Sequence, residues 1–292
     1  MTMGIYEISL ATLVSINVIS ALGLNLISGF CGQISLGHAA FYGIGAYTAA
    51  ILAKAGLPFP AALLAGMALA GLAGLIVGLT SLRVREDFLA ITTMGVGFLF
   101  IGIVRQNAFL GGEMGISAIP AIGLSKAGFL AMVLILAALT TVFNLWVKKS
   151  WMGFAFEAVA DDEDTARVLS LDVSSYKLTA FALGTALAGL AGGLYTFFAR
   201  FISPDNFGFV TSISILSMVA VGGIGSVFGV LVSTIFLTLM PEFFQFLSDY
   251  KLLVYGALLF GAMRFWPDGL AGLYASLAGR QGRRSSDRAE GP

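Results

Sequence analysis

Charge is missing from long stretches of this chain. Ile8 to Phe30, Ser35 to Ala53, Pro60 to Leu82, Phe88 to Val104, Phe129 to Val147, Leu178 to Ala199 and Phe207 to Met240 contain no Asp, Glu, Lys or Arg, and a shorter such run spans Leu252 to Met263. A helix that crosses a bilayer needs roughly 20 such residues, and most of these runs supply them. Only 11% of the 292 residues are charged, and 58% are hydrophobic, so a water-facing surface cannot be assembled. The period-two alternation of a membrane β-strand is absent, which leaves helices as the way to satisfy the backbone in lipid. The expected fold class is all-α: a polytopic helical membrane protein.

Counting segments turns on Phe207 to Met240, which is either one overlong helix or two passes interrupted at "VGGIGSVFG". Basic residues decide, because they collect on one side of a membrane. The loops 82–87 and 148–177 and the tail hold most of the 16, including Arg83, Arg85, Lys148, Lys149, Arg167 and Lys177, and are assigned to the cytoplasm. Two passes keep the tail on that side, with a turn at Gly222, Gly223 and Gly225. About 8–10 transmembrane segments follow, some of them broken or re-entrant. Residues 1–275 read as one membrane domain, and 276–292 as a disordered basic cytoplasmic tail beside anionic headgroups. The first apolar run reads as a retained helix, since no cleavage-site pattern follows it.

Small residues recur four apart at Gly74 and Gly78, Gly184 and Ala188, Gly189 and Gly193, Gly225 and Gly229, and Ala39 and Gly43. This spacing lets helices approach closely, chiefly within one subunit. The lone cysteine, Cys31, reads as a packing residue, and the lone histidine, His38, as a hydrogen-bonded structural one. No carboxylate lies within the apolar runs to complete a proton relay with it. No metal site, catalytic cluster or nucleic-acid surface is expected.

The polar loop from Lys148 to Lys177 gathers Glu157, Asp161, Asp162, Glu163, Asp164 and Asp172 with Arg167. Read as a helix beginning near Asp161, it has acids in its first turn and a base further on, as the helix dipole favours. Val159, Ala166, Leu169 and Val173 would then share one side. A short amphipathic helix lying on the cytoplasmic face is expected, suited either to solvation or to a partner's groove.

Four stretches together resemble one family. "GLNLISGFCGQISLGHAAFYGIGAYTAA" (23–50), "LRVREDFLAITTMG" (82–95), "EAVADDEDTARVLSLDVSSYKLTAFALGTALAGLAGGLY" (157–195) and "MVAVGGIGSVFG" (218–229) are similar, in order, to segments of the permease subunits of branched-chain amino-acid ABC importers, LivM-like members above all. The resemblance implies a second, LivH-like permease, two cytoplasmic ATPases that use ATP and Mg, an extracytoplasmic substrate-binding protein, and a bacterial inner-membrane location. It implies that Glu157, Ala158, Asp161, Asp162, Glu163, Asp164 and Arg167 form a helix that couples to the ATPase. Ser170 departs from the family, which generally has glycine there. Within this reading, 29–37 is a helix break bringing Gln33, Ser35 and His38 beside the bundle, with Asn25 before it and Tyr42 after it, near the translocation path or a subunit interface.

No phosphate-binding loop ending in Lys and Ser or Thr occurs, so this chain is expected to hydrolyse no ATP and to bind no cofactor itself. The implied cargo is leucine, isoleucine and valine. The alternatives are urea, short amides or other amino acids carried by the same family, or a self-sufficient secondary transporter.

Overall fold

The computed structural model describes residues 4–81, 86–243 and 251–265. Its helices are α1 (Ile5–Leu24), α2 (His38–Lys54), α3 (Phe59–Ser81), α4 (Glu86–Gln106), α5 (Lys126–Lys149), α6 (Trp151–Asp161), α7 (Glu163–Val168), α8 (Val173–Ala199), α9 (Phe209–Gly222), α10 (Val227–Phe243) and α11 (Lys251–Phe265). Among the described residues no strand forms, and one isolated bridge joins Ile116 to Ile202. The chain is an all-α polytopic membrane protein. Arg83, Arg85 and the tail 276–292 lie outside the described residues.

Among the described residues, six helical stretches are long and apolar enough to cross a membrane: Ile5–Phe30, Phe59–Thr80, Phe88–Gln106, Lys126–Lys149, Val173–Ala199 and Pro204–Gly222. α2 and α10, at 17 residues each, are shorter. At 1.5 Å per residue each spans about 25 Å, less than the hydrocarbon thickness of about 30 Å. α2 is short because residues 31–37 ahead of it are irregular.

Helix α8 is the axis of the bundle and packs against α1, α2 and α3. Close approach is possible because glycines meet: a methyl group on Gly66 would lie 2.7 Å from the Gly45 carbonyl oxygen, and one on Gly189 would lie 2.8 Å from that of Gly66. Gly74, Gly78, Gly184 and Gly193 likewise face Thr185, Leu178, Gly23 and Leu63, so the four-residue spacing of small residues serves packing inside this chain. Burial separates centre from edge. The most apolar window of the first helix is 72% buried and that of α4 only 17%. Phe98, Leu99 and Ile103 of α4 consequently face outward.

Candidate functional site at two interlocked helix breaks

The first break begins where α1 widens into a π-helical turn at Asn25–Phe30, followed by irregular backbone to Gly37. Backbone that leaves a helix inside a bundle must find other partners. Here Gln33 N–H donates to the Ile27 carbonyl (3.1 Å), and Ser28 Oγ donates to the Gln33 carbonyl (2.8 Å). Leu36 N–H donates to Thr93 Oγ1 (3.0 Å) and Ala39 N–H to Ser212 Oγ (3.1 Å). His38 Nε2 meets the Ser20 carbonyl at 3.1 Å; a carbonyl only accepts, so Nε2 carries the proton. Asn25, Gln33, Ser35 and His38 are all buried within this chain, as is Cys31.

The second break separates α9 from α10. Gly223 and Gly225 have φ of 103° and 80°, the left-handed region where a side chain is strained. The turn expected at Gly222, Gly223 and Gly225 is therefore present. What the sequence does not reveal is that the two breaks hold each other. Gly225 N–H donates to Asn25 Oδ1 (3.1 Å), and Gly29 packs so near that a methyl group there would sit 2.7 Å from Gly225 N. Lys148, at the end of α5, donates to the Gly225 carbonyl (2.7 Å), with its ammonium 6.0 Å from the centroid of the Phe30 ring.

The acidic loop differs from the expected helix starting near Asp161. It forms two helices, α6 ending at Asp161 and α7 starting at Glu163, with extended Asp162 between them. The physical reason is capping: Asp162 Oδ1 accepts from the N–H groups of Asp164 (2.9 Å) and Thr165 (3.3 Å), which an N-cap carboxylate does better than a helix-interior one. The Thr165 N–H first, then the Thr165 hydroxyl and the Asp164 N–H, hold the Asp162 carboxyl below its ordinary value. Asp172 caps α8 in the same way, its carboxyl lowered by the Ser175 hydroxyl and N–H.

At the other end of α7, Ser170 N–H donates to the Arg167 carbonyl (3.0 Å) and Leu171 N–H to that of Ala166 (3.1 Å). This is a Schellman stop, whose left-handed position is occupied by Ser170 at φ 63°. Val159, Ala166 and Val173 are buried as expected, but Leu169 is 67% exposed because this stop turns it outward.

These polar-loop helices rest on the first break. A methyl group on Gly32 would meet Ala160 of α6 at 3.1 Å, and Gln33 Nε2 donates to the carbonyl of Lys177 in α8 (3.0 Å). Glu163 of α7 forms an ion pair with Lys177. Phe156 of α6 and Tyr176 of α8 stack edge to face, 6.1 Å between centroids. Facing away are Glu157, Asp161, Asp162 and Asp164 together with Trp151 and Phe154, the last two 75% and 60% exposed; Ala158 is half-buried. Arg167 is tied to Asp164 and Glu163 on this surface. Acidic and aromatic groups thus share the exposed surface of α6 and α7.

Tyr42 is not part of this junction. Its ring packs against Tyr195 and Phe207, with centroids 5.8 and 5.5 Å away. Conversely, Lys148, Lys177, Thr93 and Ser212 belong to the junction although the sequence reading gave them no such role. The one signal that pointed toward the two lysines was their position at the borders of the polar loop.

The family described as the branched-chain amino acid transport system permease component matches residues 7–263. The high-affinity branched-chain amino acid transport system permease protein LivM of Escherichia coli K12 is 34% identical over 90% of this chain and 69% of its own length. BraD of Pseudomonas aeruginosa, named as a permease of the same kind, is 26% identical over 86% and 90%. LivH of E. coli K12 is 30% identical over 44% and 42%. No solved structure matches. With its multi-pass helical architecture and a family match running from the first helix to the last described one, this chain belongs to the branched-chain amino acid transport permease family.

Proposed function

We propose that this chain is one of two permease subunits of an ATP-driven importer in the bacterial cytoplasmic membrane, carrying leucine, isoleucine and valine inward. The α6–α7 end faces the cytoplasm, where its exposed acidic and aromatic surface docks on one of two ATPases that bind ATP and Mg. A LivH-like permease completes the path, and a binding protein delivers cargo from the other side. The observation that carries this reading is the junction itself. The helices offered to the ATPase meet the first break directly where Ala160 of α6 packs on Gly32, and indirectly through α8, whose Lys177 pairs with Glu163 of α7 while its carbonyl accepts from Gln33; the second break is bonded to the first through Asn25 and Gly225. A push on α6–α7 therefore reaches both irregular segments through these contacts, and those segments are the places where helices reorient at least cost. Glu157, Ala158, Asp161, Asp162, Glu163, Asp164, Arg167 and Ser170 form or brace the docking element. Asn25, Gln33, Ser35, His38, Gly222, Gly223 and Gly225 form the moving breaks, and Tyr42 belongs to the wall above them.

The test is reconstitution. The chain is co-expressed with the ATPases, second permease and binding protein encoded in its native genome, purified in mild detergent, and placed in liposomes with radiolabelled leucine. Uptake that needs ATP and is lost without any one subunit is expected. Uptake by this chain alone, driven by an ion gradient, would overturn the proposal in favour of a secondary transporter.

A further inference from the structure

At the end of the bundle opposite the junction, a cavity of about 270 Å³ opens between the first turns of α1 and α5 and the last turn of α8. Its charged groups are Lys126, the first residue of α5, and Arg200, which ends α8. No carboxylate lines it, and among the described residues neither cation has an acidic partner. Ser9 and Thr12 on its floor spend their hydroxyl protons on the carbonyls of Ile5 and Ile8, at 3.0 and 2.7 Å. Phe129 and Phe197 form part of an apolar wall.

One of the two cations is also set against its own helix. Lys126 sits at a helix N-terminus, where the dipole disfavours a cation and favours an anion. Arg200 closes α8 at φ 57°, its N–H bonded to the Thr196 carbonyl (2.9 Å), and so brings the second cation to the same cavity without a carboxylate to meet it. We propose that this cavity binds the phosphate of an anionic phospholipid between Lys126 and Arg200, with the glycerol inside and the acyl chains running out along the apolar wall. Its position at the helix ends puts it at headgroup depth, and a basic pocket between membrane helices suits an acidic headgroup. A zwitterionic amino acid fits poorly, because its ammonium would meet two cations and no acid.

The test is native mass spectrometry of the delipidated full-length chain with dioleoyl phosphatidylglycerol or dioleoyl phosphatidylcholine. Two cations near a headgroup predict a preference for phosphatidylglycerol, whose phosphate charge no choline offsets, of about tenfold or more. The Lys126→Gln/Arg200→Gln variant should bring the two lipids close to parity. Ser9→Trp, which fills the cavity but keeps both charges, should do the same and answers the question if the double variant fails to fold. Lys54→Gln/Lys149→Gln removes equal charge elsewhere and should leave the preference intact. Equal binding by the wild type, or a preference that survives Ser9→Trp, would overturn the assignment. Displacement of the lipid by leucine would overturn it too, making this a cargo site.

Discussion

Gly29→Ala tests the contact between the two breaks more sharply than any other single change. Ordinary contact with a methyl carbon begins at 3.4 Å, and this one would stand 2.7 Å from Gly225 N and overlap Asn25 Oδ1, so Gly225 must move by roughly 0.7 Å and the Asn25 amide by more. Overpacking of that kind costs about 1–3 kcal/mol. Moving Gly225 away from Asn25 also forfeits a hydrogen bond worth about 1 kcal/mol. The control is Gly95→Ala on α4, where a methyl group meets nothing within 4 Å and alanine's helix propensity should add up to about 1 kcal/mol. The assay is melting of the detergent-purified chain, followed by size exclusion after graded heating, alongside ATP-driven uptake by the reconstituted complex. Gly29→Ala should melt lower and transport more slowly, and Gly95→Ala should melt at or above the wild-type temperature. If Gly29→Ala matched the wild type in both, or the two variants fell equally, the interlock would not be a functional contact.

Ser170→Gly should stabilise the chain by about 1 kcal/mol, since it removes a side chain from a left-handed position; an unchanged melting curve would refute that account of the stop. Reversing Asp161 and Asp164 to lysine, both exposed and neither a cap, should lower ATP-driven uptake by about tenfold, a loss of about 1.4 kcal/mol in coupling, with yield unchanged and melting lowered only slightly, because the Asp164–Arg167 pair it breaks is exposed. Wild-type uptake would exclude that face as the docking surface. The capping carboxyls of Asp162 and Asp172 lie below their ordinary value of 3.8, so the stability they lend is present above that pH and is lost as pH falls through the lower folded value. Hydrogen exchange across residues 162–176, corrected for intrinsic rates, should therefore be faster at about pH 3 than at about pH 6. Equal protection at both would show that the caps do not hold this connection.

The places where the backbone departs from a helix were legible in the sequence for local reasons. Gly222, Gly223 and Gly225 sit in an apolar run too long for one span, and two of them adopt the left-handed conformation that favours glycine. Residues 29–37 bring polar and small groups between two apolar runs, and the structure ends the π-helical turn at Phe30 and leaves 31–37 irregular. The division between α6 and α7 was not legible. An acid at the head of a helix can be a first-turn residue or a cap, and only the backbone at Asp162, φ −162° and ψ 113°, decides that it is the cap. The family's usual glycine pointed correctly to a special position at 170, but that serine occupies it in the left-handed conformation emerged from the structure.

The sequence by itself determined that this is a helical membrane protein and which family it joins, because hydropathy and motif order are properties of the linear chain. The tertiary structure alone decided that the two breaks are one object. Asn25 and Gly225 lie 200 residues apart, Gln33 and Lys177 lie 144 apart, and Lys148 and Gly225 lie 77 apart. Such pairings carry no periodicity or spacing rule. They exist because α8 gathers α1, α2 and α3 around itself, leaving the irregular segments at one end of the bundle to satisfy one another's hydrogen bonds where little water is present to do so.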